Sequence, residues 1–298
     1  MSDRIDHDRI DYEVVDMFAV GPLSGCALGV VPDAGRLSDE AMAAVAREIG
    51  TSETAFVLPA AEPGVTHRVR VFTPYGESPF GGHSAVGTAA TLVRLGLLPA
   101  GRLVQQCGER LMPVEADDDG ATLTAAEPLE VVPFDATASA EAVGLDPDDL
   151  TGPAVTAGFG PAFHVLPVRP DALARAGLRP GHPVWRDQPD VVLLAWDGRT
   201  GAARGRVFAP GYGMPEDPAC ASAALALGPW LVASGLLPTT TGSHPYLLRQ
   251  GAEVHRPSTL ACHVEVRDGR VTGASVSGVV LPAAHGRMVL PTPAAVPA

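Results

Sequence analysis

Neither lysine nor asparagine occurs among the 298 residues, so all 21 basic side chains are arginine. Without lysine there is no Schiff base to a carbonyl substrate or to pyridoxal phosphate, and no lysine for a Walker-type phosphate loop. The four cysteines, Cys26, Cys107, Cys220 and Cys262, are far apart and form no C-x-x-C pair. That spacing argues against a zinc knuckle or a dithiol redox site and is expected of a reduced, cytoplasmic protein. Positive charge is in short supply: the net charge is -13 and the pI about 5.0, the opposite of what a nucleic-acid partner requires. No apolar run approaches the roughly 20 residues of a membrane span. The opening MSDRIDHDRIDYE is acidic and polar, unlike a signal peptide, and is expected to be a loose tail.

What the chain does have is a repeat. Arg68 to Pro99 and Arg204 to Pro238 each open with Arg-x-Arg-Val-Phe-x-Pro, pass through a Gly/Pro-rich turn into an Ala/Leu-rich stretch, and close on Gly-Leu-Leu-Pro. Two copies of strand, turn and helix predict an α+β fold of two similar lobes, each a mixed or antiparallel sheet wrapped round a central helix, with both turns facing one cleft. The lobes are expected at 12–134 and 153–298, joined by a linker over 135–152, with the last residues packing back on the first lobe. Strands are expected at Tyr12–Phe18, Ala27–Val31, Thr54–Leu58, Arg68–Thr73 and Leu103–Gln106. Others are expected at Met112–Glu115, Ala121–Ala125, Leu129–Val132, Ala162–Leu166 and Val191–Trp196. Closing strands are expected at Leu260–Arg267, Arg270–Ser277 and Gly278–Leu281, with Asp268-Gly269 as a hairpin turn. Ser38 and Gly50 bracket a first helix, and the repeated helix begins at Ser84 in the first copy.

The two turns concentrate the polar residues. Turn one carries Glu77, Ser78, Gly81, Gly82, His83 and Ser84; turn two carries Glu216, Asp217, Cys220, Ala221 and Ser222. Each feeds a helix start, where open backbone N–H groups and the helix dipole favour an anion. The same glycines and serines also serve tight turns and caps, and the two acids of turn two are of the kind that caps a helix electrostatically. His83 is either a proton carrier near neutral pH or a partner of its own turn. Glu53 has no helix to cap and precedes the apolar run Thr54–Leu58. Enclosure there would disfavour its charged form and suit it to general acid and base work.

Three runs, SETAFV at 52–57, FTPYGESPFGGHSAVGTA at 72–89 and PEDPACASA at 215–223, resemble the phenazine-biosynthesis PhzF-like isomerase family, whose two-lobed fold is that of diaminopimelate epimerase. The resemblance extends from about Val14 to Leu281. It implies that Glu53 is the catalytic glutamate, which takes a proton from one carbon and returns it to another. It also implies roles for His83, Asp217 and Ser222, with the backbone N–H groups of Gly82, His83, Ala221 and Ser222 holding a substrate carboxylate beside Ser84 and Cys220. No cofactor, no metal and a homodimer are further implications, and the partner is a small-molecule carboxylate. Two departures stand out: Gly25-Cys26-Ala27 replaces the family's usual Gly-Asn-Pro, and Cys220-Ala221 replaces a threonine-like residue and glycine. Cys26 and Cys220 are thereby placed at the pocket, with a substrate other than the phenazine precursor implied.

A two-thiol epimerase needs sulfur at both helix starts, and the first position is Gly81. Isomerisation by Glu53, moving a double bond in a small unsaturated and cyclic amino acid or related acid of secondary metabolism, is the reading preferred. A racemase pairing Cys220 with Glu53 or His83, and a non-catalytic binder of small acids, are the alternatives.

Overall fold

The computed structural model describes residues 9–78, 81–186, 189–212 and 214–290. The first part holds β1 (Arg9–Met17), β2 (Cys26–Val31), α1 (Asp39–Ile49), β3 (Glu53–Leu58), β4 (His67–Thr73), β5 (Gly76–Ser78), α2 (Gly82–Arg94), β6 (Gly101–Cys107), β7 (Arg110–Ala116) and β8 (Gly120–Ala126). After β9 (Val132–Pro133) and α3 (Thr137–Ala142) come β10 (Val155–Gly158), β11 (Ala162–Pro167), α4 (Pro170–Arg175), β12 (Asp190–Asp197), β13 (Ala202–Ala209) and β14 (Met214–Asp217). The chain closes with α5 (Ala221–Ala233), β15 (Gly242–Gln250), β16 (Ser258–Arg267) and β17 (Arg270–Val289).

All these strands belong to one hydrogen-bonded sheet. Ladders run β2–β3–β4–β6–β7–β8, then through β17 to β1 and back to β2, which closes a ring against which α2 packs. A second series, β10–β11–β12–β13–β15–β16–β17, packs on α5. The two series have matching local order. β3 lies parallel to β2 and antiparallel to β4, as β12 lies parallel to β11 and antiparallel to β13.

Local chemistry accounts for the elements. Ser38 caps α1 by accepting the Ala41 N–H at 3.3 Å, and Gly50 ends it at φ 72°, in the left-handed region that glycine enters without a Cβ penalty. Met42, Val45 and Ala46 form the face that α1 buries against Phe56 and Phe72. α5 is apolar almost all round, and accordingly every residue from Ala223 to Val232 is buried. At the tip of the last hairpin Asp268 and Gly269 both have positive φ, as a type I′ turn requires.

Several expectations need correction. Residues 9–11, read as part of a loose tail, are the first residues of β1, opposite Arg287–Val289; residues 1–8 lie outside the described residues. The closing strands expected at 270–277 and 278–281 are one strand of 20 residues, β17, because the second half continues into pairing with β1. Only Val132 of the strand expected at 129–132 is extended into a ladder, and β15 was not anticipated. β15 opens Gly242-Ser243-His244-Pro245, and its ladder with β16 places only alternate residues from Tyr246 onward inside.

Candidate active site

The two helix starts meet at one cavity of about 110 Å³. Its wall includes Glu53, Gly82 and His83 from the first copy and Asp217, Cys220 and Ser222 from the second. Neither N-cap residue, Gly81 of α2 or Cys220 of α5, offers a side chain to the helix N–H groups, so both helix starts keep donors available for an anion. A Cβ on Gly81 would sit 2.1 Å from the Ser84 Oγ and 2.8 Å from a Val71 methyl, so no thiol fits there without rearrangement.

Glu53 opens β3, directly opposite Leu28 of β2, and its side chain is only 12% exposed. Burial pushes its carboxyl above the ordinary value; the His83 imidazole draws it down, the Asp217 carboxylate pushes it further up, and the Ser84 hydroxyl favours the charged form. Glu53 Oε2 and His83 Nε2 lie 3.2 Å apart. The pair is within ion-pair range but off hydrogen-bond alignment, and both atoms are buried without a hydrogen-bond partner among the described residues. Buried polar atoms are normally paired, so these two stand ready for a ligand.

Asp217 ends β14 and is 3% exposed; its Oδ1 accepts the Ala219 N–H at 2.9 Å. The turn behind it is braced by β15 and β16. Gln250 donates to the Asp217 carbonyl and accepts the Cys220 N–H at 3.3 Å, and the Ser258 hydroxyl donates to the Pro218 carbonyl at 2.8 Å. Glu216 does not cap α5: it forms a bidentate pair with Arg206.

Two cysteines, Cys26 and Cys220, sit where a thiolate is disfavoured. Burial, reinforced by Asp217, pushes both the Cys220 and the Cys26 thiols well above their ordinary range. Cys220 lines the cavity, whereas Cys26 is buried behind it, with its Sγ 3.5 Å from the Ser52 hydroxyl. Ser84 and Ala221 are fully buried beneath the helix starts and do not line the cavity, the Ser84 hydroxyl donating to the Gly81 carbonyl at 2.9 Å.

Sequence reasoning missed Ser52, Thr73, Pro161, Phe163, Asp190, Ala209 and Met214 on the wall, and named Ser78 only as a turn residue. A signal for Asp190 existed: it immediately precedes the apolar run Val191–Ala195, just as Glu53 precedes Thr54–Leu58. Among the described residues, no three His, Cys, Asp or Glu side chains are grouped to hold a metal ion.

Comparison with known proteins gives a consistent picture. A family model described as phenazine biosynthesis-like protein matches residues 15–284. The chain is 33% identical over 283 residues to trans-2,3-dihydro-3-hydroxyanthranilate isomerase of Pseudomonas aeruginosa, covering 94% of this chain and 99% of the relative. It resembles a solved PhzF-family phenazine biosynthesis protein of Bacillus anthracis at TM-score 0.82 and 22% identity, over 94% and 99% of the two chains. With the same coverage, it resembles a solved protein of Pseudomonas aeruginosa described as a predicted epimerase, at TM-score 0.78 and 31% identity.

Proposed function

Since the chain belongs to the phenazine biosynthesis-like family, we propose that it is a cofactor-independent isomerase that moves a proton, and with it a double bond, within a small unsaturated cyclic amino acid or related acid. The observation that carries this reading is Glu53, buried at the cavity with no hydrogen bond to its Oε2 among the described residues, 3.2 Å from His83 and flanked by two helix starts with no side-chain cap. The relative from Pseudomonas aeruginosa is named for an isomerisation of trans-2,3-dihydro-3-hydroxyanthranilate, a small cyclic amino acid, which makes that compound the first substrate to try, while the departures at Cys26 and Cys220-Ala221 point to a related acid as the chain's own substrate. A setting in secondary metabolism follows from the same kinship.

In the proposed reaction the substrate carboxylate sits on the N–H groups at Gly82, His83, Ala221 and Ser222. The dipoles of both helices stabilise its charge and the electron density that the carboxylate receives when a neighbouring C–H is broken. Glu53, ionised, takes that proton. Desolvation makes it a stronger base than an exposed glutamate, and the adjacent imidazole favours its charged form. The protonated Glu53 then returns the proton to another carbon of the conjugated system on the same face. The two strand series act as the two lobes of this clamp, each supplying one helix start.

The racemase reading is weaker on this geometry. Paired with Glu53 or His83, it needs Cys220 as one of its two proton carriers, but burial and the Asp217 charge hold that thiol neutral, and Gly81 supplies no second thiol. Replacing Glu53 with Gln is expected to abolish turnover of trans-2,3-dihydro-3-hydroxyanthranilate while binding of a non-reacting carboxylate is kept. Retained turnover would overturn the assignment.

A further inference from the structure

The repeat extends beyond the two turns. Phe72 of β4 and Phe208 of β13 occupy the same place in their copies, and their antiparallel partners are Thr54 and Val191. The residues one step earlier are Glu53 and Asp190, each the first residue of its strand. Asp190 is therefore the counterpart of Glu53 in the second copy. The other positions match as well: Val71 pairs with Ser78 and Val207 with Asp217, and the N-caps Gly81 and Cys220 are followed two residues on by His83 and Ser222. Glu53, Ser78 and His83 thus face Asp190, Asp217 and Ser222 across one cavity.

The charge in this cavity is unbalanced. Three carboxylates and one imidazole line it, and among the described residues no arginine does. Asp190 has no hydrogen bond or ion pair among the described residues, and burial together with the Asp217 charge pushes its carboxyl up to about 7. A substrate carboxylate on the helix starts would add a fourth negative group to an enclosed space, which is costly unless a cation enters with it. Glu53 Oε2 and His83 Nε2, buried and without hydrogen-bond partners among the described residues, leave polar atoms in the same space that a ligand can satisfy.

We infer that Asp190, assisted by Asp217, is the residue that selects a zwitterionic substrate, by receiving an aliphatic ammonium group while the helix starts receive the carboxylate. Glu53 and Asp190, the same position in two copies, then divide the work: one handles the migrating proton and the other the amino group. The inference rests on the isomerase reading and narrows its substrate class to acids that carry a basic amine near the carboxylate.

Calorimetric titration of the full chain with two non-reacting probes, cis-2-aminocyclohexanecarboxylate and cyclohexanecarboxylate, tests it. The wild type is expected to prefer the amino acid by about tenfold, the scale of one charge-assisted hydrogen bond. Titrations in buffers of different ionisation enthalpy at pH 7 are expected to show release of about half a proton per site on binding the amino acid alone, as Asp190 ionises. Asp190→Asn, and Asp190→Ser as a second variant of different shape, should lose both the preference and the proton release while cyclohexanecarboxylate binds as tightly as before or more tightly. The inference is overturned if the variants keep the amino preference, or if both probes weaken equally, which would mark a structural role. It is also overturned if turnover is lost while preference and proton release remain, which would give Asp190 to proton transfer. A wild type that binds cyclohexanecarboxylate with no amino preference refutes this inference and leaves the isomerase reading standing. A wild type that binds neither probe and turns over no unsaturated acid refutes both.

Discussion

At the scale of single residues, function here depends on carboxyl groups placed where charge is costly. Asp190 makes this measurable without a substrate. Its carboxyl, pushed up to about 7, holds a proton in the folded protein that the unfolded chain has given up above its ordinary value of 3.8. The folded state therefore binds more protons in that window, and stability must fall as pH rises from about 4 to about 7. Asp190→Asn removes the titration. The melting temperature of the variant relative to the wild type is expected to climb between pH 4 and pH 7 and then level off. Each kcal/mol of this effect corresponds to roughly 2–4 °C in a chain of this size class. A difference that stays flat across the window would show that Asp190 is not held protonated. The position of Glu53 was legible in the sequence because a lone acid stood before an apolar run. Asp190 stood in the same position and was passed over, because β11 and β12 are joined by a long segment and no turn motif drew attention to it.

At the scale of elements, the two copies of strand, turn and helix share an ion pair but not its surroundings. Arg70 pairs with Glu77 and Arg206 with Glu216, each bridging two adjacent strands in a bidentate contact. The first pair is partly solvated, with side chains 27% and 44% exposed, whereas the second is 7% and 8% exposed. Arg206 also donates to the carbonyls of Leu173 and Ala176 at the end of α4. Removing one partner of a buried pair strands a charge, at a cost of about 3–5 kcal/mol, whereas an exposed pair contributes about 1 kcal/mol or less. Arg206→Ala is thus expected to destabilise the protein by about 3–5 kcal/mol in urea unfolding and Arg70→Ala by less than ~1 kcal/mol. Equal effects would contradict the assigned environments. The repeat was visible in the sequence because the Arg-x-Arg-Val-Phe strands keep both alternation and spacing. The different burial was not, since it depends on α4 covering only the second copy.

At the scale of the whole molecule, β17 is the element that the sequence concealed. Its glycines and its Val279-Val280 pair invite a break at Gly278, yet the strand runs on. Its residues 273–279 join β8, and its residues 280–289 close the ring onto β1. Pairing with distant strands decided its length, and no local signal reports such partners. The cavity likewise exists only because the two helix starts, 139 positions apart from Gly81 to Cys220, are brought together by the sheet. The central claim, a proton shift drawn by Glu53 across this cavity, is tested most directly by following trans-2,3-dihydro-3-hydroxyanthranilate by proton NMR in deuterated water. The account predicts migration of the unsaturation in the wild type, with deuterium at the newly saturated carbon only to the extent that protonated Glu53 exchanges with solvent before returning its proton, and no conversion with Glu53→Gln. Inversion at one carbon without migration, or undiminished conversion by the variant, would contradict it.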